Sequence, residues 1–440
     1  MNRLMIPFDG VLNAEIVLPG SKSMTNRALV LAALAEGETL LDGVLDSEDT
    51  QVLVGALWQL GLDIRHIPER RQLRVVGTRG IFPNQNAELY VGNSGTTARF
   101  LTALLSFSNG NYRIYGKPRM HERPIRDLVE ALQSLGAELQ YEANAGFPPL
   151  MVSGNMFRSV SQQPVALSAT VAGSVSSQFL SALLMAAPLA TRFGTVELRL
   201  KGNLVSKPYI NMTIDMMQSF GVSPEITGEF EQFRFATQTV YKTPETYQIE
   251  PDASGASYFF AAAAVCGGSV TVTGLSRQSL QGDVMFVDCL EKMGCDVKWN
   301  DHSITVSRPV GKPLRGISVD MNSLSDTAQT LAAVALFAEN PTEMTNMEHV
   351  RFKETDRITD LAAELRRFGA VVEEKQDGLR IIPPAKLLPA TVETYDDHRM
   401  AMSFAVVGLK VPGVVICNPE CTQKTFPDFF KLLDSMRNEA

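Results

Sequence analysis

A short polar segment opening an alanine-rich apolar stretch recurs six times along this chain of 440 residues, near Ser23, Thr96, Ser176, Ser254, Asp326 and Asp397. Subtracting neighbouring positions gives steps of 73, 80, 78, 72 and 71 residues, a near-constant period that marks one supersecondary unit copied along the chain. Amphipathic stretches that end in glycine repeat in the same way, at Gly61, Gly136, Gly221, Gly294 and Gly369, with steps of 75, 85, 73 and 75. A sixth glycine would fall just past Ala440, so Phe430 to Met436 reads as a last helix cut short at its end.

Each copy reads as two helices and several strands. Apolar residues at helical spacing stop at a glycine and give way to alternation such as Val270-Thr271-Val272-Thr273. One such unit cannot bury its apolar face alone, so the copies must pack on each other. The Ser, Thr, Asp and Asn residues at the openings are favoured N-caps, and helix N-termini carry free backbone donors and partial positive charge. At any single opening a plain cap would look the same. Here several openings also carry cations, Lys22 and Arg27, then Arg99, then Arg399, which points to phosphate or carboxylate ligands.

The length exceeds one compact core and suggests two or three domains, and six copies divide naturally into three plus three. Leu18-Pro19-Gly20-Ser21 and Ile249-Glu250-Pro251-Asp252 contain proline and interrupt the repeat. Read as two crossings, they join residues 1–20 to 252–440 in one discontinuous domain and leave 21–251 as the other. The composition, 45% hydrophobic with 20% charged residues, is that of a soluble globular protein. A net charge of −8 argues against nucleic-acid or anionic-membrane partners, so anions must be held by a local cluster of cations in a small-molecule cleft. No apolar run reaches membrane-spanning length, and residues 1–20 lack the apolar core of a leader peptide. Five cysteines without CxxC spacing suit reduced thiols in the cytoplasm, and Cys417 and Cys421 lack the histidine partners of a zinc site.

Several constellations could carry chemistry. Lys22, Ser23 and Arg27 are expected on one side of a helix start, where two cations and a hydroxyl suit a phosphate monoester. Gly92-Asn93-Ser94-Gly95-Thr96-Thr97-Ala98-Arg99 is a glycine-bracketed loop before a helix, without the Gly-Lys-Ser/Thr of a P-loop. Ser176-Ser177-Gln178 offers two hydroxyls and an amide at the third opening. The densest charge cluster is Arg351-Phe352-Lys353-Glu354-Thr355-Asp356-Arg357, followed later by Arg399 and Lys424; such a run is as often a solvated helix face as a site. Asp326 and Glu354 could do acid and base work. Cations around Glu354 lower its pKa while proton donation needs it raised, so burial or a bound anion must counter them.

These residues together resemble the 5-enolpyruvylshikimate-3-phosphate synthase family. The blocks that carry the resemblance are Leu18-Pro19-Gly20-Ser21-Lys22-Ser23 with Arg27, Gly92-Asn93-Ser94-Gly95-Thr96, Pro118-Arg119-Met120-His121-Glu122-Arg123-Pro124, Ser176-Ser177-Gln178 and Ser206-Lys207-Pro208-Tyr209. Lys353-Glu354-Thr355-Asp356-Arg357, Asp397-His398-Arg399-Met400-Ala401-Met402 and Lys424-Thr425-Phe426-Pro427 complete them, in the family's order and over nearly the whole chain.

The resemblance implies an α/β fold of two domains, each of three βαβαββ units arranged as an inside-out α/β barrel, with the active site in the cleft between them. It implies transfer of the enolpyruvyl group of phosphoenolpyruvate to the 5-hydroxyl of shikimate 3-phosphate with release of phosphate, a step of the shikimate pathway to chorismate and the aromatic amino acids. No cofactor or metal is implied, and a cytoplasmic monomer is. By position, Lys22, Ser23, Arg27, Ser176, Ser177, Gln178, Ser206, Asp326, His349 and Lys353 would hold shikimate 3-phosphate. Lys22, Gly95, Arg123, Gln178, Arg357, Arg399 and Lys424 would hold phosphoenolpyruvate. Asp326, Glu354 and Lys22 would be catalytic, with Asp326 accepting the proton of the 5-hydroxyl and Glu354 exchanging that of the enolpyruvyl methylene. Two positions depart from common members: Ser94 replaces Ala in the loop near the phosphoenolpyruvate phosphate, and His349 replaces an Asn that contacts shikimate 3-phosphate in some.

Two rivals stand beside this reading. The sister enzyme that modifies UDP-N-acetylglucosamine carries a cysteine in the loop before its Arg-Pro pair, and residues 111–124 here contain none. A non-catalytic anion-binding scaffold would gain nothing from Asp326 and Glu354.

Overall fold

The computed structural model describes residues 2–154 and 166–437. Twelve α-helices lie among the described residues, two to a copy. They are α1 (Lys22–Leu34), α2 (Glu48–Gln59), α3 (Gly95–Ser106), α4 (Arg126–Ser134), α5 (Ser177–Ala190), α6 (Lys207–Ser219), α7 (Ala253–Cys266), α8 (Phe286–Lys292), α9 (Ala328–Ala335), α10 (Thr359–Arg367), α11 (His398–Gly408) and α12 (Phe429–Ser435).

The first helix of each copy is apolar nearly all round and is buried nearly all round. Every residue of α7 and α11 is buried, as is every residue of α3. Small side chains such as Ala261 to Ala264 let backbones approach closely, so α7, α9 and α11 pack against one another while the sheets cover them. Three hydroxyls cross that helical core in a row: Ser257 Oγ lies 3.1 Å from Thr330 Oγ1, which lies 3.4 Å from Ser403 Oγ. These positions are 73 residues apart each time, so the repeat legible in sequence is also a spatial one.

The second helices are amphipathic and end as their glycines require. Gly61, Gly136, Gly221, Gly294 and Gly369 all have positive φ. In the first, Gly61 N–H donates to Trp58 C=O at 2.9 Å and Leu62 N–H reaches back to Leu57 C=O at 3.1 Å, a Schellman closure. The pattern recurs after α4, α6 and α8.

One complete copy shows the sheet rule. Strand Asn86–Tyr90 leads through α3 into Asn111–Tyr115, parallel to it; α4 then leads to the antiparallel strands Glu138–Tyr141 and Leu150–Ser153. The resulting βαβαββ unit has spatial strand order 1-2-4-3. Strands alternate buried and exposed residues, as in Leu12–Ile16, because one face covers helices and the other does not.

The chain divides into two compact units, Met1–Pro19 with Glu250–Ala440, and Gly20–Ile249. The crossings reassign two strands. Leu12–Ile16 precedes α1 in sequence, yet it pairs in parallel with Gly268–Thr273 of its own unit. In the other unit Thr246–Gln248 takes the vacated place, parallel to Glu36–Asp42. At the first crossing a Cβ on Gly20 would collide with the Gly43 carbonyl, so no larger residue fits. The sixth copy draws one strand from elsewhere in the chain. Its parallel pair Thr391–Val392 and Val415–Ile416 is extended by Arg3–Leu4, antiparallel to the latter, so the start of the chain completes the sheet of its last copy.

Candidate active site

In the unit Gly20–Ile249 the groups cluster at the openings of α1, α3 and α5. Ser21 caps α1, its Oγ accepting from Met24 N–H at 3.4 Å. Lys22 Nζ lies 3.4 Å from the carboxylate of Asp49, a buried residue of α2. Asn26 Nδ2 donates to Thr96 Oγ1 at 3.0 Å, tying the first turns of α1 and α3 together. Arg123 Nη1 donates to the Asn93 carbonyl at 2.9 Å and to Asn93 Oδ1 at 3.3 Å. A Cβ on Gly95 would lie 2.5 Å from Arg123 Nη2 and 3.2 Å from Gln178 Oε1, so Gly95, Arg123 and Gln178 meet at one point. Ser176 Oγ caps α5 by accepting from Gln178 N–H at 3.2 Å, and Ser177 is buried beside it. Ser206 precedes α6 in the left-handed region, with φ 53°.

Lys22 and Arg27 do not share one side of α1. Arg27 turns inward and is 1% exposed. Its Nε donates to Thr213 Oγ1 at 2.8 Å, Nη2 to Ser181 Oγ at 3.1 Å and Nη1 to the Ser23 carbonyl at 3.0 Å, and it stands over the rings of Phe100 and Tyr209. Burial pulls this guanidinium down to about 10, with Tyr209 opposing. The face expected from spacing misses this because five residues separate Lys22 from Arg27, which puts them on different sides of the helix.

In the other unit the charged run 351–357 is split by its own fold. Arg351 and Asp356 pair at 2.8 Å on the outside, where Asp356 also accepts the N–H groups of Ile358 and Thr359. Glu354 and Arg357 turn inward and are buried, so the run is not a solvated helix face. Arg357 sits among three carboxylates. Its Nε donates to Asp397 at 2.7 Å, Nη2 to Glu354 at 2.9 Å and Nη1 to Asp326 at 3.4 Å. Burial pulls Arg357 down, but Asp397, Glu354 and Asp326 outweigh it and hold the guanidinium above its ordinary range. Asp326 bridges to a second cation, Arg399 Nη2 at 2.8 Å, and Glu354 to a third, Lys424 Nζ at 3.2 Å. Asp326 is not at an α-helix start, as its place in the repeat suggests. It lies in the 3₁₀ turn Asn322–Thr327, and α9 begins at Ala328.

His349 is buried in the turn Glu348–Phe352. Burial first, and the charge of Lys353 second, push its imidazole down to about 4, so it is neutral at physiological pH and offers one donor and one acceptor. Lys353 directly follows that turn and is partly exposed.

Sequence reasoning missed Asp397 as a counter-ion. It was legible only as a cap, and it does cap α11 by accepting from Arg399 N–H at 2.9 Å while also holding Arg357 and accepting from Gln329 Nε2 at 3.3 Å. It also missed Asp49 and Tyr258, whose hydroxyl accepts from Arg399 at 3.4 Å. No local pattern signals these, since Asp49 lies 27 residues from Lys22 and Tyr258 141 residues from Arg399.

The family model of EPSP synthase (3-phosphoshikimate 1-carboxyvinyltransferase) matches residues 9–433. A 3-phosphoshikimate 1-carboxyvinyltransferase of Nostoc punctiforme is 47% identical over 437 residues, 98% of each chain. One of Yersinia pestis is 48% identical over 423 residues, 96% of this chain and 95% of that one. Among solved structures, the EPSP synthase of Acinetobacter baumannii superposes with a TM-score of 0.78 at 23% identity, covering 99% of this chain and 98% of that one. The enolpyruvyl transferase NikO of Streptomyces tendae does so with 0.73 at 19%, covering 99% and 97%. The α/β architecture is thus shared with these structures, and, on the sequence match along nearly its whole length, the chain belongs to the EPSP synthase family.

Proposed function

We propose that the chain transfers the enolpyruvyl group of phosphoenolpyruvate to the 5-hydroxyl of shikimate 3-phosphate, with roles for its residues as follows. The carrying observation is Asp326 held between Arg357 and Arg399, a carboxylate whose orientation is set by two cations.

Both substrates are anions, and the paired cations supply their counter-charges. Shikimate 3-phosphate is held by Lys22, Ser23, Arg27, Ser176, Ser177, Gln178, Ser206, His349 and Lys353. A phosphate beside Arg27 gives that buried guanidinium the anionic partner that its hydroxyl neighbours are not. Phosphoenolpyruvate is held by Lys22, Gly95, Arg123, Gln178, Arg357, Arg399 and Lys424. Asp326 takes the proton of the 5-hydroxyl as its oxygen bonds to C2 of phosphoenolpyruvate, while C3 gains a proton through Glu354. In the tetrahedral intermediate the C2–O bond to phosphate then breaks and C3 loses a proton, which restores the double bond and releases product and phosphate. Lys22 neutralises charge in both steps. The protein does this as a cytoplasmic monomer.

Purified protein is expected to release phosphate from phosphoenolpyruvate only when shikimate 3-phosphate is present. Release with UDP-N-acetylglucosamine instead, or binding without turnover, overturns the reading.

Gly95→Ala tests the loop. Its methyl would enter the space of Arg123 Nη2 and Gln178 Oε1. KM for phosphoenolpyruvate should rise about 10- to 100-fold, the size expected for a misplaced binding group, while the Kd of shikimate 3-phosphate measured calorimetrically stays within about twofold. Unchanged KM would show that this cluster does not touch phosphoenolpyruvate.

A further inference from the structure

The fourth opening, at Ser254, takes no part in the roles above, yet it is built as tightly as the others. Its hydroxyl donates to the buried carboxylate of Asp283. The segment carrying Asp283 is fastened to the start of α7 by further bonds: Ala253 N–H donates to Gln281 Oε1 at 3.0 Å, and Gln281 Nε2 to the Pro251 carbonyl at 2.7 Å and to Glu250 at 3.0 Å. The turn Gly282–Met285 packs directly on the turn Asn322–Thr327, which carries Asp326. The loop that carries this carboxylate is therefore fastened to the opening of α7, and its turn packs on the turn that carries Asp326.

We propose that Asp283, anchored by Ser254, is a positioning residue for Asp326, its negative charge setting how readily Asp326 takes the substrate proton. The inference rests on Asp326 being the proton acceptor. The charged groups acting on Asp283 are Asp326 from the turn 322–327, Arg399 from the start of α11 and Asp252 from the opening of α7. Burial first, and Asp326 second, raise Asp283 to about 6, while the Ser254 hydroxyl and Arg399 pull it down. At neutral pH Asp283 is mostly ionised, and one carboxylate beside another makes its neighbour more basic. Below about pH 6 it takes a proton and that support is lost.

The test is the pH profile of kcat for the full chain, with thermal unfolding and calorimetric binding of shikimate 3-phosphate alongside. Asp283→Asn removes the charge and keeps the shape. Its acid limb should move to lower pH and its plateau fall about three- to tenfold, as proton-transfer driving force is lost, with Tm and Kd near those of the parent. Ser254→Ala leaves the carboxylate but removes the donor that favours its ionised form, so its acid limb should move the other way, to higher pH. An acid limb that stays in place in both variants overturns the inference, as does a uniform loss of activity that tracks a lowered Tm. Full turnover in Asp326→Asn would instead sink the acceptor assignment itself, which separates the two failures.

Discussion

In Asp326→Asn, kcat is expected to fall by roughly 10²- to 10⁴-fold, the usual contribution of a positioned general base, while the Kd of shikimate 3-phosphate changes far less. The amide keeps the size of the side chain and one acceptor, so it can still hold a bond from Arg399 or Arg357 where the carboxylate now lies 2.8 and 3.4 Å from them. What it cannot do is accept a proton. Single-turnover kinetics with bound substrates would place the loss in the chemical step, and Asp326→Ala should behave alike. Equal losses in kcat and in affinity would mean that Asp326 serves binding, and the acceptor role would have to be given up.

The second large effect is expected from Arg357→Met. The guanidinium is 3% exposed and touches Asp397, Glu354 and Asp326, of which Asp397 is fully buried. Removing one partner of a buried ion pair typically costs about 3–5 kcal/mol, because the charge left behind has neither water nor a counter-ion. Thermal unfolding should show that loss, and turnover with phosphoenolpyruvate should vanish with it. The sign with pH follows from the same cause. Carboxylates stripped of their cation escape the penalty by taking a proton, so the stability gap between variant and parent should narrow as pH falls. A gap that widens toward acid, or a variant as stable as the parent at neutral pH, would show that Asp397 and Glu354 do not depend on Arg357. Arg357→Lys should recover part of the stability but little activity, since one ammonium cannot reach three carboxylates in the plane that a guanidinium spans.

The two effects bear on how much a sequence can say. A charge run such as 351–357 has two folded outcomes, and nothing local chooses between them. Arg351 and Asp356 went to the surface while Glu354 and Arg357 went inside, because the buried Asp397 and the half-buried Asp326 were waiting there, 40 and 31 residues away in sequence. Arg27 is the converse case. Its cationic chemistry was legible, but its direction was set by Thr213 and Ser181, 186 and 154 residues distant.

The sequence by itself determined the repeat, its two helices per copy, the glycine that ends five of the six second helices, and the family, because these follow from local rules. Helical periodicity, caps and positive-φ stops act within a few residues and survive copying. Tertiary structure alone decided which strand completes which copy, with Arg3–Leu4 closing the last sheet and Thr246–Gln248 replacing Leu12–Ile16. It alone decided which carboxylate neutralises which cation. A hydrogen bond or ion pair needs its atoms within about 3–4 Å, and only helix packing, of α7, α9 and α11 in one unit and of α1, α3, α5 and α6 in the other, brings residues from separate copies that close.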